Sequence, residues 1–144
     1  MRLDGRIWRD GRFWLAEVPL LDAMTQGRSE REAYRMIADL IETMANKRGF
    51  AVSVHPAGRH RFEIESSDVG TLVAVMLRRL REKQGLPLSE LAKRLGSSSK
   101  TAYARYEQGK AVPTVTKLFE LLAAVAPGIE FAIDQRGGPH KRAA

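Results

Sequence analysis

Residues 85–113 contain two short amphipathic segments on either side of a turn rich in glycine and serine. Apolar residues recur at helical spacing in the first segment, and Gly96 permits the tight turn that follows it. The second segment runs from about Ser99 to Gln108, where Gly109 closes it. This pattern predicts a helix-turn-helix unit, which needs further helices to bury its apolar faces. The predicted buried stripe of the first helix is Leu88, Leu91, Ala92 and Leu95.

The sequence predicts one further helix on each side of this unit. The polar residues 66–68 start the preceding helix, which ends near Gly85, and Thr114 caps the following helix, which ends at Pro127. We expect the basic residues of the preceding helix mostly on its outer face: Arg78, Arg79, Arg81 and Lys83. The predicted inward residues are Leu72, Val73, Met76, Leu77 and Leu80 before the unit and Val115, Leu118, Phe119, Leu122 and Val125 after it.

The N-terminal half predicts a small sheet and one helix in the order ββαββ. Asp10-Gly11 suits a two-residue turn, which would pair Trp8 with Phe13. Ser29 and Glu32 have the spacing of a capping box, and a helix then runs to Gly49. Alternating residues predict strands at 50–55 and 61–65. The fold class is therefore α+β, with a sheet domain at residues 1–67, a helical domain at 68–134 and a flexible tail at 135–144.

A sheet covered by a single helix leaves its other face open. If the more apolar face of the hairpin packs against the helix, Trp8, Phe13 and Leu15 lie on the open face. Such an exposed aromatic cluster can anchor a protein partner. The alternative is that these residues pack against a loop, the other domain or a second copy of the chain.

Composition limits the classes of function. The 144 residues include no cysteine, so disulfides and cysteine-bound metals are excluded. No apolar run approaches the roughly 20 residues that cross a bilayer, and the N-terminus lacks the apolar core of a signal peptide. We expect a cytoplasmic protein with no membrane partner and no cofactor.

The positive charge lies in the C-terminal half. The net charge is +7, and residues 1–67 hold 11 Lys or Arg against 10 Asp or Glu, whereas residues 68–144 hold 13 against 7. A basic helical module can neutralise DNA phosphates. A membrane surface would use the same charge, but these helices lack the one-sided aromatic face that an interfacial helix needs. We therefore expect double-stranded DNA as a partner.

The second helix of the unit is expected to read DNA from the major groove. Ala102 and Tyr106 should point inward, with Tyr103 as a further candidate, and Ser98 or Ser99 should cap the helix near a phosphate. Lys100 and Arg105 are the predicted base readers, although both could instead be solvated charges or phosphate contacts. Other predicted DNA contacts are Thr101 and Ala104, with Lys93, Arg94 and Lys110 on phosphates.

No pattern of catalytic residues points to an enzyme. The predicted hairpin places Asp4 opposite Glu17, which could hold Mg²⁺, but Arg6 is close enough to neutralise them. His55 and His60 flank a turn, and His140 lies near the C-terminus, so we predict no metal site.

The alternating residues 129–134 predict a strand after the last helix. Because the helical domain offers it no partner strand, we expect Ile129, Phe131 and Ile133 to pair with a second copy of the chain. Local packing or pairing with the first sheet are the alternatives. A homodimer would present two helix-turn-helix units to a palindromic operator.

The stretch from Gly85 to Pro113 resembles the helix-turn-helix of phage-repressor-like, or XRE-type, regulators. The matching residues are Gly85-Leu86, Glu90-Leu91-Ala92, Leu95-Gly96, Arg105-Tyr106-Glu107 and Pro113. Two positions depart from the pattern. Leu88 replaces the usual phosphate-binding Gln, and the turn with its following helix is one residue longer.

The N-terminal half resembles the HicB antitoxin domain, in Asp10-Gly11, Ala16-Glu17-Val18-Pro19, Thr25-Gln26-Gly27, Ser29, Glu32 and Ala33. The resemblance implies a partial ribonuclease-H-like fold without catalytic carboxylates, which masks a small mRNA-cleaving toxin, HicA. It further implies a type II antitoxin that represses its own operon. Residues 20–24 depart from the family pattern. The alternative is a transcription regulator whose sheet domain senses a ligand or oligomerises.

Overall fold

The computed structural model describes residues 1–97 and 99–135 of the chain. Its N-terminal half is a five-stranded antiparallel sheet with one helix against it. The elements are β1 (Arg2–Asp10), β2 (Phe13–Val18), a short 3₁₀ helix (Pro19–Leu21), β3 (Ala23–Gly27), α1 (Glu30–Ala45), β4 (Ser53–Pro56) and β5 (Arg61–Glu65). The order across the sheet is β3-β2-β1-β5-β4, so β1 is central although it comes first in the chain.

The helical half contains α2 (Val69–Lys83), α3 (Leu88–Arg94), α4 (Lys100–Glu107) and α5 (Val115–Val125). Helices α3 and α4 are the predicted helix-turn-helix pair. Among the described residues, no helix combines the length and the hydropathy that a bilayer crossing requires.

Local capping signals place the starts of α1 and α5 as predicted. The Ser29 hydroxyl accepts the Glu32 amide at 3.1 Å, and the Thr114 hydroxyl accepts the Lys117 amide at 3.2 Å. Helix α1 ends at Asn46, whose φ of 47° is left-handed, three residues before the expected Gly49. Its face of Ala33, Ile37 and Ile41 is buried against the sheet.

The sheet differs from the prediction in one strand and one register. Strand β3 was not predicted, so the order is βββαββ rather than ββαββ. The hairpin turn lies at Gly11-Arg12, because Asp10 pairs with Phe13 and Trp8 pairs with Leu15. The predicted pairing was therefore wrong by two residues along β2. A shift of two residues preserves the face of each side chain, so the inner face of Leu3, Ile7, Ala16 and Val18 is buried as expected.

One continuous core joins the two halves. Helix α2 is buried at every position from Thr71 to Leu77 and contacts the 3₁₀ helix, α1, α4 and α5. Its basic residues lie off the buried stripe as expected, and Lys83 is exposed, but Arg78, Arg79 and Arg81 are half-buried and bonded to other elements. Arg79 donates to the Leu21 and Asp22 carbonyls, Arg78 donates to the Met44 carbonyl, and Arg81 pairs with Glu107. The carbonyls at the ends of other elements hold these cations against the protein.

Two other predictions about the helical half are wrong. Ala102 is exposed, while Tyr103 takes the inward position together with the half-buried Tyr106. Val115 and Phe119 are 65% and 40% exposed, because α5 turns Leu121, Leu122 and Val125 inward instead. Residues 129–134 form no strand within the chain itself; Phe131 packs locally on the core and Ile133 is 80% exposed, and the pairing with a second copy stays a prediction. The predicted tail lies outside the described residues except for Gln135.

Candidate nucleic-acid interface

Helix α4 presents one polar face and buries the other. Lys100, Thr101 and Arg105 are exposed, and Ala104 is half-buried between them. Tyr103 on the opposite face is buried, and this burial raises the pKa of its hydroxyl, with the negative charge of Glu107 as the second cause. The hydroxyl therefore stays protonated, and the ring fixes how α4 rotates about its own axis. The predicted base readers are accessible from outside.

A buried ion pair fixes the C-terminal end of α4 to α2. Arg81 Nε lies 2.7 Å from Glu107 Oε1, and Arg81 Nη2 donates to Glu107 Oε2 at 3.0 Å. The third donor, Arg81 Nη1, reaches the Leu86 carbonyl at 3.0 Å, just before α3. The side chains of Arg81 and Glu107 are only 15% and 7% exposed. One guanidinium thus sets the positions of both helices of the pair. Sequence reasoning missed this role because the two residues are far apart in the chain and carry no local signal.

The start of α4 is organised by Ser97. Its hydroxyl accepts the Ser99 amide at 3.1 Å and donates to the Ser99 carbonyl at 3.2 Å. The predicted cap by the Ser99 side chain is absent from the structure, and Ser98 lies outside the described residues. Gly96, with a φ of 68°, makes the turn that the sequence predicted.

Lys93, Arg94 and Lys110 are exposed near this helix pair. Lys93 and Arg94 lie in the last turn of α3, and Lys110 follows α4 directly. Arg94 Nη1 also donates to the Ala124 carbonyl at 3.2 Å, so part of its guanidinium is committed to α5. Lys93 and Lys110 are therefore better placed than Arg94 to bind a phosphate.

The outer face of the sheet, opposite α1, carries an apolar patch. Trp8 and Leu15 are directly paired and half-buried, and Phe13 is exposed beside them. The unpredicted strand β3 adds Met24, which is 53% exposed and lies opposite Glu17. We use the name apolar patch for Trp8, Phe13, Leu15 and Met24. Met24 was missed because the sequence around it did not predict a strand.

Charged pairs fill the rest of the outer face. Asp4 lies opposite Glu63 rather than Glu17, which corrects the predicted carboxylate pair. Arg6 Nη2 lies 2.7 Å from Glu17 Oε2, and Arg61 Nη2 lies 3.4 Å from Asp4 Oδ1. Arg2 binds both Glu63 and Glu65. Each of these carboxylates faces a guanidinium, an arrangement that does not favour a metal ion.

The described histidines do not form a metal site. His55 Nε2 lies 2.7 Å from Glu65 Oε1, and Arg2 together with His55 lowers the pKa of that carboxyl, Arg2 having the larger effect. His60 is exposed in the turn, and His140 lies outside the described residues. Within residues 1–97 and 99–135, no three His, Asp or Glu side chains are grouped to hold a metal ion.

A cavity of about 590 Å³ lies where the two halves meet. Its walls come from β1, the 3₁₀ helix, α2, α5 and the segment after α5. Leu3, Leu20, Leu80 and Leu122 are among the apolar lining residues, and Lys83 is one of the few charged ones. Among the described residues, Lys83 Nζ donates to the Pro19 carbonyl, at 3.4 Å.

Comparison with known protein families identifies a domain within the helical half. No curated protein matches the chain. The sequence model of the Helix-turn-helix family matches residues 77–125, from the second half of α2 to the end of α5. That range contains α3, α4, the Arg81–Glu107 pair and the exposed face of α4. The chain therefore contains an XRE-like helix-turn-helix domain at residues 77–125, which indicates a DNA-binding transcription regulator.

Proposed function

We propose that the protein represses its own operon by inserting α4 into the major groove of an operator. The observation that carries the proposal is the exposed face of Lys100, Thr101 and Arg105 on a helix whose other face is fixed by Tyr103. Lys and Arg side chains donate to guanine O6 and N7, and helix N-termini and loop lysines bind phosphates. Lys93 and Lys110 would supply phosphate contacts, with Arg94 and Ser99 at the edge of the interface.

Gel retardation of the promoter fragment upstream of the reading frame tests this proposal. Replacing both Lys100 and Arg105 with Ala removes two donors to bases, and each removal should weaken binding by at least about tenfold. Lys117→Ala is the matched control, because Lys117 is on α5 and pairs with Glu120 at 3.2 Å. Unchanged binding by the double variant, or an equal weakening in the control, would contradict a reading role for α4.

We further propose that the sheet half is the toxin-binding half of a type II antitoxin of the HicB kind. The helix-covered sheet supports a partial ribonuclease-H-like fold, and the apolar patch, bordered by the Arg6–Glu17 pair, supports a protein partner. The partner proposed is a small HicA-type ribonuclease, which the patch would mask. As part of this proposal, the protein acts in the cytoplasm. It does so as a homodimer or a higher oligomer.

Co-purification with the product of the adjacent reading frame tests the antitoxin proposal. Trp8→Ala or Phe13→Ala should weaken the complex, because hot-spot aromatics each contribute about 2 kcal/mol or more. Met36→Ala is the control, since Met36 is an exposed apolar residue of α1 and not of the outer face. If both aromatic variants bind the partner with unchanged affinity, the apolar patch is not part of the interface.

We propose no catalytic activity for Asp4 and Glu17. Both carboxylates have an arginine partner on the outer face. Divalent-metal-dependent nucleic-acid cleavage that disappears in Asp4→Ala or Glu17→Ala would contradict this view.

A second candidate function is a transcription regulator that senses a small ligand. The cavity of about 590 Å³ favours it, because ligand pockets have this size and often lie between two structural units. A largely apolar carboxylate would suit the walls and Lys83. Octanoate should then raise the unfolding temperature of the wild type but not of Leu20→Trp, which fills the cavity. The absence of a short basic toxin frame beside this reading frame would also favour the sensor.

A further inference from the structure

We propose that the sheet half adds a phosphate contact to the DNA interface, through Arg48 just after α1. The surface consists of Arg48 and Lys110, which flank a cleft between the ends of α1 and α4, and its ligand is the sugar-phosphate backbone of the duplex that α4 binds. This inference rests on the proposed function, since it extends the interface of a helix that engages an operator. The helix-turn-helix match begins at residue 77, so Arg48 lies outside it.

A cleft of about 290 Å³ brings the end of α1 next to the end of α4. It is lined by residues 45–47 at the end of α1, by residues of α2 and by residues 107–109 at the end of α4. Arg48 and Lys110 are the next residues along the chain after the first and the last of these three segments. The sheet half therefore meets the DNA-binding half at the point where Lys110 is already a proposed phosphate contact.

Arg48 and Lys110 differ from the other cations around this cleft in being unpaired. Three cations there are bonded within the protein: Lys47 to Asp68, Arg78 to the Met44 carbonyl and Arg81 to Glu107. Arg48 and Lys110 are exposed, and neither side chain makes a hydrogen bond or an ion pair within residues 1–97 and 99–135. Two cations are therefore available to a phosphate at this cleft.

Two acidic residues lie near Arg48 without pairing with it. Asp39 and Glu42 line a shallow depression together with Arg48. Glu42 Oε1 accepts the Val52 amide at 2.8 Å, so that carboxylate is held by the backbone. The guanidinium of Arg48 keeps its fork of donors, which binds a phosphate through two parallel hydrogen bonds. Phosphates follow one another every 3.4 Å or so along a strand, so neighbouring phosphates can meet cations on both sides of the cleft.

The salt dependence of DNA binding tests the contact. We expect Arg48→Ala to reduce the slope of log K against log salt by about 0.9 and to weaken binding about eightfold at 0.1 M salt, because one phosphate fewer is neutralised. The loss should be equal on the promoter fragment and on an unrelated duplex of the same length, since phosphate contacts carry no sequence information. Arg48→Lys keeps the charge and should keep the slope.

Arg31→Ala is the matched control. Arg31 is an exposed arginine in the first turn of α1, and its removal changes the net charge by the same amount. At 1.5 Å per residue it lies roughly 21 Å from the end of α1, which is about two Debye lengths at 0.1 M salt. Its slope should equal that of the wild type. An equal reduction in both variants would assign the effect to net charge and overturn the contact.

Site-directed cleavage gives a second measurement. The chain contains no cysteine, so Arg48→Cys and Arg31→Cys each provide a single attachment point for an iron chelate that cleaves nearby DNA. We expect cleavage of the promoter fragment from residue 48 and none from residue 31. If the wild type binds the promoter, an unchanged slope in Arg48→Ala or an absence of cleavage from residue 48 would overturn this inference and leave the DNA-binding proposal intact. A wild type that does not bind the promoter would overturn the proposed function itself.

Discussion

At the scale of single residues, Asp68 shows how one side chain stabilises a junction. Its Oδ1 accepts the Thr71 amide at 3.0 Å, which caps α2, and its Oδ2 accepts Lys47 Nζ at 2.7 Å. The hydrogen bond from Lys47 is the largest cause that lowers the pKa of Asp68 from 3.8 to about 2, followed by those from Thr71. The ionised carboxylate therefore stabilises the folded chain above about pH 4, and this contribution is lost as the pH falls to about 2.

We predict that Asp68→Asn makes stability less sensitive to acid. Asn retains an oxygen that caps the helix but cannot pair as an anion with Lys47. The free energy of unfolding should differ most between wild type and variant near neutral pH, and the difference should shrink between pH 4 and 2. Urea unfolding at several pH values measures this. Asp39→Asn, at an exposed position of α1, should keep the pH dependence of the wild type.

Gly27 is required by the close approach of β3 to α1. A Cβ at this position would lie 2.5 Å from the Ala33 backbone nitrogen, which cannot move without moving the helix. We predict that Gly27→Ala lowers the free energy of unfolding by about 1–3 kcal/mol. Gly70→Ala is the comparison, because the tightest contact of its Cβ would be with the flexible, exposed Val112 side chain at 3.1 Å, and Asp68 Oδ1 at 3.8 Å is at an ordinary contact distance. Helix propensity should make Gly70→Ala neutral or stabilising in thermal unfolding.

At the scale of elements, the Arg81–Glu107 pair attaches α4 to α2. Removing one partner leaves a buried charge unpaired, so we predict that Glu107→Leu lowers the free energy of unfolding by about 3 kcal/mol and weakens promoter binding. Glu120→Leu removes a carboxylate from the exposed pair with Lys117 and should cost less than about 1 kcal/mol. Urea unfolding measures both variants. If both variants lower the free energy of unfolding by the same amount, the burial of Glu107 adds nothing to the stability that the pair contributes.

The elements also differ in how well the sequence predicts them. Helices α1, α2 and α5 are predicted by capping residues and by apolar residues at helical spacing, and α3 and α4 by the glycines that follow them, all of which act within a few residues. Strand β3 has no such pattern, since the alternation in residues 23–27 is too short and too polar to stand out. The hairpin register was also missed, because Gly11 can occupy either central position of a turn.

At the scale of the whole molecule, one core extends across residue 67. Leu72, Met76 and Leu80 of α2 belong to the same buried cluster as Ile7, Ile37 and Phe62 of the sheet half. We predict that the chain unfolds in a single transition in urea. Trp8 and Trp14 report on the sheet by fluorescence, and circular dichroism at 222 nm reports mainly on the helices, so the two curves should coincide. Separate midpoints would show that the halves unfold independently.

The sequence by itself determined the helix-turn-helix, the capped helices and the two faces of the hairpin, because these depend on residues close together in the chain. The tertiary structure decided the rest. It added β3, set the order of the strands and left residues 129–134 without a strand. It also bonded three arginines that the sequence predicted as surface charges to distant partners: Arg78 to Met44, Arg79 to Leu21 and Asp22, and Arg81 to Glu107. Those outcomes depend on carbonyls and carboxylates that are distant in sequence and are brought within 3 Å only by folding.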